Sequence, residues 1–308
     1  MSGVSVTTRF LYSVLSGKVY AGKKKQQEPL HNLVSCFAKD IGNCFHQEIP
    51  VQSASWTEKI FLICLGLKRD LAALVKLGKL QRNYMRDTMS GKGAGICHLC
   101  RGGQENFSYH ETDFNIMTEM RRDAPLPWTQ QPSLLNSIPH SPSRKAAFFK
   151  LDLFHILLKG VFGDIAANAI VSCYDLKVFG NLSLEKFLKH VYDDASGYCR
   201  QNGLQLHMIA LTTDLLGIKR ASSYPTASWF KGADTSTLCT YLQAKLGTLA
   251  NLEPEHQHYM GLIHKVVKSA NEFMRTLLHS GNFLLDSERA AALLHGKKVL
   301  EYFKQLAT

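Results

Sequence analysis

The segment Cys97-His98-Leu99-Cys100-Arg101-Gly102-Gly103 constrains this chain more than any other. Two thiols two residues apart can grip one Zn²⁺ from a tight turn, and the glycines that follow allow the backbone conformations such a turn needs. Two thiols fill half of a tetrahedron, so a zinc site here draws its other ligands from elsewhere and ties separated segments together. The candidates are His98 and His110 nearby, and His256 with His258 at the start of a C-terminal helix. The last two lie two residues apart, which suits a helix N-terminus or an extended entry better than one helix face. The competing reading is a structural cysteine pair with histidines that simply face solvent.

Charge narrows the class of partner. The 308 residues carry 36 Lys and Arg against 25 Asp and Glu, a net charge of +11. The excess is clustered: Lys68, Arg69, Lys76, Lys79, Arg82, Arg86, Lys92 and Arg101 lead into the cysteine loop, opposed over that span by Asp70 and Asp87 alone. Such a cluster favours a polyanion, nucleic acid first, with Lys76, Lys79, Arg82 and Arg86 as the expected contacts. The eight cysteines lack the rhythm of a secreted framework, which points to a reducing intracellular compartment and, with nucleic acid, to the nucleus. No stretch reads as a signal segment or a membrane span, so no membrane partner is expected.

Hydrophobic periodicity predicts an α+β chain, mostly helical with a small mixed sheet. Helices are expected over 28–45, 70–89, 156–174, 183–200, 235–246, 256–279 and 286–306, the fifth capped by Thr235. Short apolar runs at 59–65, 146–151 and 204–210 suit strands, the first of them buried. A stretch rich in Pro, Ser, Asn and Gln around Trp128, 124–143, reads as a long irregular connection. The implied organisation is an N-terminal helical extension (1–54), a basic helix with the cysteine module and Pro-rich connection (55–145), and a helix-rich domain (146–308).

Asp152 and His155, three apart where a strand feeds a helix, can turn to one side and share a cation or a proton. Asp70 follows an apolar run in the same way. Two acids at adjacent strand ends are what two-metal phosphoryl transfer requires, usually with a third from a helix, for which Glu272 is the candidate. Mg²⁺ would enter only with such catalysis. The alternative for an aspartate here is a helix cap.

Taken in order, Cys97, Cys100, Asp152, Phe154, His155 and Gly160-Val161 resemble the transposase-derived proteins of the CACTA, Plavaka and KDZ type. In that group a ribonuclease H-like core is interrupted by a Cys-x2-Cys module and carries an Asp-x-Phe/Met-His segment before an apolar helix. The Cys-His-Leu-Cys loop, the Ala270-Asn271 helix and the ending Tyr302 to Ala307 also resemble a family of uncharacterised proteins from dinoflagellate-type genomes. The resemblance spans about residues 55–308 through short motifs. It implies a degenerate ribonuclease H-like core, association with nucleic acid and, with three acids present, metal-dependent strand transfer or nuclease chemistry. The group's first catalytic acid, in an Asp-Gly strand upstream, has no clear counterpart, and Asp70 sits nearer a later Gly-Asp element, which here reads Lys68-Arg69-Asp70. The expected state is therefore a catalytically inactive, zinc-stabilised copy; the alternatives are an RNA- or protein-binding scaffold and an active enzyme.

Overall fold

In the computed structural model, which describes residues 12–13, 28–53, 55–84, 95–219, 224–229, 231–249, 253–281 and 283–306, helix α1 spans Glu28–His46. Its buried residues, Val34, Ala38 and Gly42, recur every fourth position and so share one face. The chain then forms β1 (Ile49–Gln52), β2 (Thr57–Ile60), β3 (Leu67–Lys68), α2 (Leu71–Leu77), α3 (Phe114–Glu119), α4 (Leu134–Ser137), a 3-10 segment (Pro142–Phe148) and β4 (Phe149–Lys150). Helix α1 lies against α4, and only a residue without a side chain fits at the crossing: a Cβ on Gly42 would fall 2.5 Å from the Ser137 carbonyl oxygen.

Two small ladders give this unit its β content. β1 and β2 form an antiparallel hairpin, Ile49 opposite Ile60. β3 and β4 are parallel, with Leu67 opposite Phe149 and Lys68 opposite Lys150. The core gathers Val34, Ala38, Leu74, Leu80, Trp128, Leu134, Leu135, Ile138, Phe148 and Phe149. Phe149 is its centre, fully buried and edge-on to both Trp128 and Phe148.

Three expectations change here. The run 59–65 is not a buried strand: β2 ends at Ile60 and is exposed throughout, and Phe61, Leu62, Ile63 and Leu65 stay open to solvent, because among the described residues β2 pairs with β1 alone. The helix expected over 70–89 stops at Leu77, where the Gly78 N–H closes onto the Leu74 carbonyl and Lys79 takes a positive φ of 48°. The Pro-rich stretch is not a mere connection, since Trp128, Leu134, Leu135 and Ile138 from within it fill the core.

The chain divides into two compact units, Met1–Asp152 and Leu153–Thr308. The sequence boundaries at 54 and 145 do not match this division. The β1–β2 hairpin runs across the first of them, and β4 draws the residues after the second into the first unit.

The second unit is helical: a π-helical segment (Phe154–Val161) broken at Gly160, then α5 (Phe162–Asp175), α6 (Leu184–Gln201), α7 (Gly232–Leu246), α8 (Pro254–His279) and α9 (Asp286–Leu306). Phe162, Ile170, Phe187, Val191, Trp229, Leu238, Tyr241, Leu242, Val266 and Val267 are among its core. The strand expected over 204–210 is irregular chain. Thr235 does not cap α7 but lies inside it, fully buried, accepting from Trp229 Nε1 at 2.8 Å and donating to the Leu158 carbonyl at 2.6 Å. Asp234 beside it is also buried, its Oδ1 accepting from the His207 backbone N–H at 2.7 Å and lying 3.1 Å from His207 Nδ1. These bonds satisfy polar groups that would otherwise be costly to bury.

The coarse reading stands: the protein is mostly helical with a small amount of sheet. Among the described residues one helix, Phe154–Asp175, is long and apolar enough to cross a membrane by length and composition. Its α5 part is packed into the bundle through Phe162, Ile165, Ala166, Ala167, Ala169, Ile170 and Cys173, as the core helix of a folded domain would be. All eight cysteines are unpaired, with Cys173, Cys199 and Cys239 buried.

Phe187, 1% exposed, sits edge-on to Tyr174 and packs on Phe179. Phe187→Ala is expected to destabilise the second unit by about 3–5 kcal/mol, the usual cost of an aromatic-sized cavity, read as a lower denaturant midpoint. An unchanged midpoint would mean the bundle is not packed as described.

Candidate metal centre and basic edge

The cysteine loop is wound by its own backbone. Ile96 N–H donates to the Gly102 carbonyl at 2.8 Å, Gly103 N–H to Phe107 at 2.8 Å and Arg101 N–H to Met120 at 2.9 Å. Gly95 and Gly103 have φ of 86° and 80°, where a side chain would be strained. The result turns backbone donors toward both sulfurs: Leu99 N–H reaches Cys97 Sγ at 3.3 Å, and Gly102 N–H reaches Cys100 Sγ at 3.4 Å.

The two thiols are hydrogen-bonded to one another. Cys97 donates to Cys100, which holds the Cys100 thiol well below its ordinary range; burial opposes this, and the Gly102 N–H with nearby Arg121 and Arg82 reinforces it. The same bond, with burial, pushes the Cys97 thiol up. Two adjacent thiols, one with a lowered pKa, form a donor set that a soft or borderline cation would complete by displacing their protons. The chemistry of the pair is compatible with zinc, for which Cys97 and Cys100 would be the ligands. Among the described residues, no group of three or more His, Cys, Asp and Glu side chains is placed to hold an ion.

Of the histidines expected as further ligands, His98 and His110 have other partners. His98 is buried, and its Nε2 lies 3.0 Å from the Phe149 carbonyl oxygen, so that nitrogen carries a hydrogen and donates. Burial lowers its pKa, with Arg82 adding to this and the Phe149 hydrogen bond opposing it. Its role is to dock the loop onto β4. His110 is exposed, its Nδ1 2.9 Å from Ser108 Oγ. His256 and His258 lie in the first turns of α8, in the second unit, half-buried and exposed.

The basic face resolves unevenly. Lys76 is exposed on α2, and Lys79 is half-buried with its Nζ 3.0 Å from Gln130 Oε1. Arg86 lies outside the described residues. Arg82 does not face outward: it is 5% exposed, with Nε donating to the Cys97 carbonyl at 3.1 Å and Nη2 to the Pro125 carbonyl. Its place in a basic run concealed this role, which braces the cysteine loop against the Pro-rich stretch.

The β3–β4 ladder sets the register of the two strand-end acids. Each strand ends two residues before an aspartate, Asp70 after Lys68 and Asp152 after Lys150, so the parallel register carries both acids to the same, carboxyl, edge. Lys68 and Lys150, opposite one another, are exposed, as is Arg69. The Lys150 stem passes over Gly66, where a Cβ would lie 2.8 Å from its Cε. Asp70 also caps α2, its Oδ1 accepting from Ala73 N–H at 2.8 Å.

The other catalytic candidates belong to the second unit. His155 is exposed at the start of the π-helical segment, edge-on to Phe154. Glu272 is half-buried on α8 and ion-paired with Arg275, which donates to its Oε2 through both Nε and Nη2. Against family models, curated proteins and solved structures, the chain matches none.

Because folding lowers the Cys100 pKa, its contribution to stability is complete above the ordinary thiol range and is lost as pH falls through the folded value. In reduced, metal-free protein, Cys100 should alkylate at a pH well below the ~8.5 of a free thiol. Cys97→Ala should move that midpoint back up. Equal profiles for the two proteins, read by mass spectrometry, would show that the two thiols are not hydrogen-bonded.

Proposed function

We propose that this is a transposase-like, nucleic-acid-associated protein whose cysteine loop is closed by zinc and which does not itself cleave or join DNA. The observation that carries the reading is the carboxyl edge of the β3–β4 ladder, where Lys68, Arg69 and Lys150 accompany Asp70 and Asp152. Cations at such an edge meet phosphates, and paired acids there are the remnant of a site that holds metal ions beside them. A two-strand parallel ladder with an acid beyond each strand is compatible with a degenerate ribonuclease H-like core. The docked Cys97–Cys100 loop falls between the two strands in sequence, as the resemblance implies.

The inactive state rests on how the acids are engaged. Two-metal chemistry needs several carboxylates converging on both ions. Asp70 already uses one oxygen to cap α2, and Glu272 is held by Arg275. Mg²⁺ would be required only if cleavage occurred. A second reading, a protein-binding scaffold, is favoured by the exposed apolar run Phe61, Leu62, Ile63 and Leu65.

Purified protein is expected to carry about one Zn²⁺ per chain, lost in Cys97→Ser with Cys100→Ser. Elemental analysis showing equal metal in both proteins would remove the zinc centre. Oligonucleotide affinity should fall with salt and weaken in the variant carrying Lys68→Glu, Arg69→Glu and Lys76→Glu. An unaltered affinity and salt slope would refute this edge as the contact surface. Mg²⁺- or Mn²⁺-dependent nicking that disappears in Asp152→Ala would make the protein an enzyme instead.

A further inference from the structure

Helices α8 and α9 pack along one another as a hairpin and leave a cleft of about 180 Å³ on one side. Each helix contributes two cationic or protonatable side chains three residues apart, Lys265 with Lys268 on α8 and His295 with Lys298 on α9, so each pair shares a helix face. The buried Ser269 and the Tyr302 ring also line it, and Lys265 Nζ stands 5.7 Å from the centre of that ring. Glu272 is the one carboxylate in the lining, and Arg275 already engages it. Three ammonium groups around one concavity repel one another, a cost that an anion seated among them reverses.

We propose that this cleft seats the phosphodiester backbone of a nucleic acid, as a second contact point separate from the β3–β4 edge. The inference deepens the proposed function and rests on it for the identity of the polyanion. Its chemistry is sequence-independent: lysine ammonium groups act as point charges on phosphate oxygens, and a backbone held this way carries no base readout. A phosphate seated here meets Lys265 and Lys268 from one wall and Lys298 with His295 from the other.

The test uses the full chain and fluorescein-labelled single- and double-stranded DNA oligonucleotides, with affinity read by anisotropy across a salt series. The variant carrying Lys265→Glu, Lys268→Glu and Lys298→Glu should bind at least about tenfold more weakly, and its salt slope should be shallower by about 2 to 3, as expected for three lost phosphate contacts. A matching circular dichroism spectrum shows that the bundle is intact. If charge reversal disturbs folding, the three Lys→Gln changes replace it, with the same flattening of slope expected. The first-unit variant Lys68→Glu, Arg69→Glu, Lys76→Glu is measured alongside. Wild-type binding that this variant weakens and the cleft variant leaves unaltered overturns the cleft and leaves the proposed function standing. A wild-type chain that binds neither oligonucleotide overturns both. Unaltered oligonucleotide binding by the cleft variant, with lost sedimentation on phosphatidylserine vesicles, assigns the cleft to a membrane surface and overturns the proposal as made.

Discussion

The hydrogen bond from His98 to the Phe149 carbonyl joins the parts of the first unit that would otherwise be independent. Phe149 supplies three things at once: a ring at the centre of the core, a ladder position opposite Leu67, and an acceptor for the cysteine loop. A two-residue ladder is too short to be stable alone. It persists because core packing holds one side of β4 while His98 and the loop hold the other. Arg82 completes the brace by bonding both the loop and the Pro-rich stretch, and burying its guanidinium is tolerable because its donors meet carbonyl oxygens.

The loop's position bears on what its thiols can do. Backbone N–H groups aimed at both sulfurs stabilise negative charge before any cation arrives, so the two-cysteine turn is preorganised. The histidine between the thiols is spent on architecture. A metal at this turn would therefore tighten a scaffold already anchored at β4, and its influence would pass through Phe149 to the strand ends that carry Asp70 and Asp152.

What could be read in the sequence follows from how local its causes are. Helices α1, α8 and α9 start and stop within a residue or two of expectation, because periodicity and end residues such as Pro254 and Asp286 act over a single turn. The exposure of the run 59–65 is not legible locally, because burial belongs to a strand's neighbours, and among the described residues β2 pairs with β1 alone. Gly78 weakened the helix expected over 70–89, yet the companion cause, the Phe149 ring packed 3.0 Å from where its Cβ would lie, is more than 70 positions away. The buried place of Arg82 is not legible in its basic run, because composition cannot distinguish an arginine that faces water from one that bonds carbonyls. The cleft cations were equally hidden: each pair is visible at helical spacing, but only the hairpin brings the pairs together.

The parallel pairing of Lys68 with Lys150 also sets an order on the birth of the protein. At the usual elongation rate of about 5–20 residues per second, β3 is synthesised roughly 4 to 16 seconds before its ladder partner β4. During that interval Leu74 and Leu80 have neither Phe148 nor Phe149 to cover them, and the neighbouring Phe61 to Leu65 run is open as well. The cysteine turn, by contrast, has all of its internal bonds within reach as soon as Met120 emerges. Nascent chains of this protein thus pass through a stage with a finished loop and an unfinished core, when a holdase chaperone would find its longest-lived target.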